Sequence, residues 1–286
     1  GGWGAGSHSR QSVFDPHAVS SDPATTAMVA MALLRTGSTP TTGKYSANLS
    51  LATEYLLKQI EAADEQTLNI TNQTATQPQV KLGQNIDVVL TTQYLTNLMD
   101  YIINNQTLKT RVSKSLDKCV VKIQHAQIEN GSIKGAGWAG VLQSSFATNA
   151  LESAKAAGAD VDEAKLERYK NYQKGNYDTK TNSVATGDGA GVMLYSISGT
   201  ARSTAREASI AKDKIAKAKK DGKLSPSSTV TSESLQAAGM NEADAYKYAA
   251  AYEINQAASK QAQRNDVMNG FGSNGGEEFL SYLQTG

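Results

Sequence analysis

The stretch "NGSIKGAGWAGVLQSSFATNALESAKAAG", residues 130–158, decides how this chain is read. A polar Gly-Ser turn runs into a glycine-rich loop, a lone Trp138 follows, and a run of small residues ends in Ala-Gly. Glycine adopts the left-handed backbone that stops a helix, so the glycines mark where one element ends and the next begins. Residues 138–157 read as a helix apolar and small-sided enough to be buried on most of its circumference. The next segment, residues 160–173 ("DVDEAKLERYKNYQ"), is charged on one side and reads as an outer helix. An inner helix is thus followed by an outer one.

The same pair occurs twice upstream. Asp22 is a good N-cap, Pro23 suits the first helical position and Gly37 supplies the stop, so residues 23–36 form a helix. Ala24, Ala27, Met28, Met31 and Leu34 line one of its faces. Residues 45–62 are amphipathic, with Leu49, Ala52, Leu56 and Ile60 inward and Lys44, Glu54, Lys58 and Glu61 outward. Residues 85–103 are rich in Ile, Val and Leu; residues 107–127 are again amphipathic. Inner and outer helices alternate at intervals of roughly 50 to 60 residues, a pattern that builds solenoids or closed rings.

Bulk properties agree with an all-α chain. Its 286 residues include only five prolines, and Ala, Leu, Gln and Lys favour helix. The 28 basic and 27 acidic residues nearly cancel, so no global field recruits nucleic acid or an anionic membrane. No stretch reaches the roughly 20 apolar residues of a membrane span. The one cysteine, Cys119, shares a helical face with Leu108, Val112, Leu116, Val120 and Ile123 and reads as a core thiol. The Asn/Gln/Thr-rich surface, as in "LNITNQTATQPQ", points to an exported protein, periplasmic or extracellular. The chain opens in mid-motif with "GGWG" and ends just after a helix starts, as a piece of something longer would.

Two stretches at the ends of outer helices carry a resemblance. "QKGNY" (Gln173, Gly175, Tyr177) and "QIENGSI" (Gln127, Gly131, Ile133) each read Gln, a few residues, Gly, x, then a large apolar residue, and the opening "GGW" looks like the tail of another. This resembles the Gln–Trp turn of the terpenoid cyclase and protein prenyltransferase superfamily, and most of all its squalene-cyclase-type branch of prenyltransferase/squalene-oxidase repeats. The resemblance implies an α/α toroid over residues 1–198, resuming over residues 266–286 and incomplete at the C-terminus. Residues 199–265 fit it less well. There Arg202, Arg206, Lys212, Lys214, Lys217, Lys219 and Lys220 alternate with Glu207, Asp213 and Asp221 on a helix with hardly an apolar face. This segment is expected to be a charged helical insertion on the rim, its charges a solvated face.

Chemistry is sparsely signalled. The superfamily's cyclases use an Asp-x-Asp-Asp acid, and "DVDE" at residues 160–163 resembles it. It opens an outer helix, however, where Asp160 and Glu163 have the spacing of a capping box. The zinc-binding Asp, Cys and His of the prenyltransferases have no counterpart, and neither a metal nor a cofactor is implied. The N-terminal loop is denser: His8, Arg10, Gln11, Asp15, His17 and Asp22 fall within fifteen residues. His8, Asp15, His17 and Asp22 are the candidates for acid/base work. Trp3, Arg10, Gln11, Asp87, Trp138 and Asp188 are candidates for ligand contact, because Asp22, Asp87 and Asp188 open helices whose starts gather at one end of a toroid. Simple N-capping is the competing role for each of these carboxylates.

Two functions remain open. One is a non-catalytic binding or scaffold module holding a protein, glycan or lipid. The other is an enzyme on the same scaffold, a cyclase-like isomerase or a polysaccharide lyase. The missing catalytic motifs favour binding, and two Trp and four Phe are few for a carbocation-stabilising cavity. The main pocket is expected where the inner helices begin.

Overall fold

The computed structural model describes residues 1–5, 19–135, 137–185 and 187–268. These form eleven α-helices and, apart from an isolated bridge, one two-stranded hairpin. They divide into two units, residues 1–169 and 170–286, and the boundary falls inside a helix.

The first unit is two layers of helix. α1 (Pro23–Arg35), α4 (Ile86–Leu98) and α6 (Gly140–Ala156) lie side by side with α4 in the middle. α2 (Ser46–Ala62) and α5 (Gln106–His125) pack over them and against each other, and the first turns of α7 (Glu163–Lys174) follow on α5. α4 shows why the middle position needs its sequence: every residue from Ile86 to Leu95 is buried. Its Val88, Val89, Leu90 and Leu95 each contribute about 1.5–3 kcal/mol by leaving water. Of its polar residues, Thr92 donates to the carbonyl of Val88 and Gln93 to that of Phe146. α5, by contrast, buries one stripe, with Val112, Leu116, Cys119, Val120 and Ile123 inward. On the outer layer Arg111 forks between Glu54 and Glu61 and ties α5 to α2.

The ends of these helices follow their sequence. Asp22 caps α1 through Thr25 N at 2.8 Å. α3 (Gln77–Leu82), a short helix in the α2–α4 connection, opens with a Thr76/Gln79 capping box. α7 is capped by Asp162, whose carboxylate accepts from Lys165 N at 3.1 Å, and not by Asp160 as the spacing suggested. The helix begins three residues later than expected, at Glu163, because Gln124 of α5 takes up Asp162 N at 2.7 Å and sets the start. After α5, Gly131 at φ +89° turns the chain, so that Gln127 bridges Ile133 and sends its side-chain amide to the carbonyl of Lys165. After α7, Gln173 and Gly175 lead into the hairpin β1 (Tyr177–Asp178) and β2 (Ser183–Val184). Both Gln–Gly stretches therefore close a helix and open a brief strand pairing.

The second unit centres on α8 (Met193–Lys220) and α10 (Glu242–Ala262). The boundary expected at residue 198 lies inside α8, and residues 199–265 contribute a buried stripe to the core of this unit. Ile197, Ala201, Thr204, Ala208, Ala211, Ile215 and Ala218 are buried along α8 at alternating steps of four and three. This is the seam of a close-packed helix pair. Ile197 and Ala201 cluster with Ala258 and Ala262, while Ala211 and Ile215 cluster with Ala245, so the two helices are antiparallel. Small side chains let the backbones approach closely, and the charges that mark this stretch lie on the other faces. Glu207 is the exception. It is buried, with Lys170 and Lys174 at 3.3 and 2.8 Å. α9 (Ser232–Ala237) caps the α8–α10 connection, and α11 (Asn265–Met268) returns Val267 to the core. Gln261 binds both backbone groups of Val184, at 2.7 and 3.0 Å, and so stands in for a third strand.

Candidate functional site

The helix starts of the first unit do gather. Gln84 N donates to Gly135 O at 2.8 Å, Asn85 Nδ2 to Lys134 O at 2.6 Å, and Asn85 N to Gln143 Oε1 at 3.0 Å. Gly83 must be glycine for this to happen: its φ is +125°, and a Cβ there would stand 2.0 Å from the Gln143 amide. Trp3 joins from the N-terminus, where its carbonyl accepts from Asp22 N at 2.9 Å and its N–H donates to Thr26 Oγ1. Asp22 is fully engaged as a cap, accepting from Thr25 N, from the Thr25 hydroxyl and from Ala5 N. Tyr55 and Gln73 both donate to the carbonyl of Ser21 beside it.

Asp87 is the unusual member. It is 1% exposed in the first turn of α4. Its Oδ2 accepts from Ile70 N at 3.3 Å, while Oδ1 has no hydrogen-bond partner among the described residues. Burial pushes its carboxyl up to about 7; the Ile70 N–H and the N–H groups of its own turn oppose this, and the charge of Asp22 adds to it. Tyr55 is driven up to about 12, first by burial and then by the two carboxylates. A carboxyl group that holds a proton near neutrality is what acid catalysis needs. A side chain 1% exposed, however, meets nothing but its own surroundings.

Trp138 is 46% exposed, its N–H 3.5 Å from Val80 O, with the Lys81 ammonium 5.2 Å from its ring centre. Asp188 belongs to the second unit, exposed in a 3-10 turn and accepting from the Tyr172 hydroxyl at 2.6 Å. His8, Arg10, Gln11, Asp15 and His17 lie outside the described residues. Cys119 is fully buried, and burial raises its thiol to about 12. Among the described residues no three His, Cys, Asp or Glu side chains converge as a metal would require, and no helix is long and apolar enough to cross a membrane.

A second site, absent from the sequence reading, lies in the second unit. An open groove of about 720 Å³ runs along α10, between Asn182 of the hairpin turn and residues 230–232 at the start of α9. Tyr246, Ala249, Ala250, Glu253, Gln256, Ala257 and Lys260 line it from α10, a stripe at steps of three and four. Alanines keep the floor shallow. Tyr246, 57% exposed, stands at one end, and Tyr252 also lines the groove. The Tyr177 hydroxyl lies 2.8 Å from Asn182 Oδ1 and 3.2 Å from Glu253 Oε1. The stripe was legible as a period in "YKYAAAYEINQAASK", but the alanines on it look like core until the partner face is known.

Comparison with protein-family models, with curated proteins and with solved structures gives no match.

Proposed function

We propose that this protein is a non-catalytic binding module, exported from the cell, whose helical hairpins are part of a squalene-cyclase-like α/α toroid. The alternation of buried and amphipathic helices in the first unit supports that scaffold, as do the two Gln–Gly turns. The α10 groove carries the binding reading. It is open, lined by alanines with a few polar side chains and two tyrosines, and it joins residues from three elements. Exposed tyrosines supply contact area at small entropic cost, as at other recognition surfaces.

The enzymatic alternative has one observation in its favour, the proton-holding Asp87 beside Asp22. A cyclase would need that carboxyl to line a cavity able to admit substrate, and Asp87 is sealed between Ile70 and α4. The test is to incubate the full chain with mixed glycan, peptide and lipid libraries and to analyse retained and unretained molecules by mass spectrometry. Retention without chemical change, reduced by Tyr246→Ala, supports a binding module. Conversion of a library member, abolished by Asp87→Asn, would establish an enzyme instead.

A further inference from the structure

We infer that the α10 groove takes a neutral oligosaccharide; this rests on the binding reading above and names its ligand class. The stripe from Tyr246 to Lys260 covers fourteen residue steps, about 21 Å of helix. A groove of that length, open to solvent, suits a chain lying along it rather than a compact molecule.

Charge narrows the class. Glu253 and Lys260 are the only ionised side chains among the lining residues, one of each sign and two turns apart. A polyanion would be held by a row of cations and repelled at Glu253. Apolar character narrows it further. The alanine floor offers little area to a lipid chain, which needs an enclosed apolar wall. A peptide bound as an added strand needs a sheet edge, and β1 and β2 are two residues each.

The groove instead supplies donors and acceptors in mixture beside an exposed aromatic face. The Tyr177 hydroxyl has one proton for two acceptors, Asn182 Oδ1 and Glu253 Oε1. Whichever it serves, the other acceptor is left for a ligand hydroxyl. Gln256 adds an amide of both senses, and Lys260 adds a donor. A sugar ring matches this pattern, with hydroxyl groups around its edge and a C–H face that stacks on Tyr246.

The experiment uses the full chain on an array of neutral glucan, mannan, xylan and N-acetylglucosamine oligomers, with acidic polysaccharides and a random peptide library beside them. The variants are Tyr246→Ala and Glu253→Gln, both at exposed positions, with far-UV circular dichroism to verify folding. Neutral oligomers should be retained, the retention should be insensitive to salt, and Tyr246→Ala should weaken it roughly three- to tenfold. Retention of acidic polymers alone would overturn the ligand class. Peptide retention lost in Tyr246→Ala, with no glycan bound, would overturn the saccharide but leave the binding module standing. Glycan retention unchanged in both variants, or no retention of any probe, would overturn the groove as the site.

Discussion

Replacing Asp87 with Asn converts a buried, titrating carboxyl into a neutral group of the same shape. In the folded chain Asp87 holds its proton up to about 7 against an ordinary value of 3.8. The folded state therefore binds the proton more tightly than the unfolded one. Stability from this group is fully present below about pH 3.8 and is lost as pH rises through 7, in total roughly 4 kcal/mol. Most of that loss, roughly 3 kcal/mol, falls between about pH 5 and 8. Asn keeps an oxygen for Ile70 N but places an amide N–H₂ where Oδ1 has no described partner, costing about 1–3 kcal/mol at any pH. The clean quantity is therefore the difference between the two proteins as a function of pH, in which all other titrating groups cancel. Urea unfolding followed by tryptophan fluorescence measures it, because both tryptophans, Trp3 and Trp138, lie in the first unit. Between about pH 5 and 8 the Asn variant should gain roughly 3 kcal/mol on the parent. A difference that stays constant across this range would mean that Asp87 titrates as a solvated carboxylate, and the argument from burial would fail.

Three further outcomes follow from the geometry. Cys119 should resist a thiol reagent in the native protein and react at once in denaturant, since its thiol is buried and raised to about 12; rapid native labelling contradicts the packing of α5 on α4. Asp162→Ala should cost about 1 kcal/mol by thermal denaturation and Asp160→Ala less than about half of that, the reverse order restoring Asp160 as the cap of α7. Glu207→Gln should destabilise the second unit by roughly 1.5–3 kcal/mol, read by far-UV circular dichroism, because it removes the carboxylate shared by Lys170, Lys174 and Lys247; an unchanged melt would show that this carboxylate contributes nothing to the packing of α8.

Most helices of the first unit were legible because their signals are local and agree with one another; the short α3 was not expected, and α4 ends at Leu98 rather than running to 103. Asp22-Pro23 at the start and Gly37 beyond the end bracket α1, and the Ile, Val and Leu residues that recur around α4, with little charge among them, point to burial. The second unit was misread for a definite reason. Its seam is mostly Ala, with Ile only at 197 and 215, and presents a weak apolar stripe, so Arg and Lys on the outward faces dominated the pattern of α8. Counted as small residues, Ala201, Ala208, Ala211 and Ala218 form the heptad that places α10 against them. The site divided along the same line. The meeting of residues 84–87 with 134–138 follows from helix starts sharing one end, and it was expected. That Asp87 is sealed while Asp22 is spent on capping depends on Ile70 and Ala5, which arrive from loops that no periodicity predicts. The groove needs Asn182 from the hairpin, with Tyr177 hydrogen-bonded to it, residues 230–232 from another connection and a stripe of α10, a convergence visible only once the chain has folded.

Hydrogen exchange on the full chain, with and without the strongest-retained oligosaccharide of the array, tests the central claim most directly. Protection should appear in residues 246–260 and 230–232, with residues 84–87 and 134–138 unchanged. Protection confined to residues 84–87 and 134–138 would contradict it and return the site to the helix starts of the first unit.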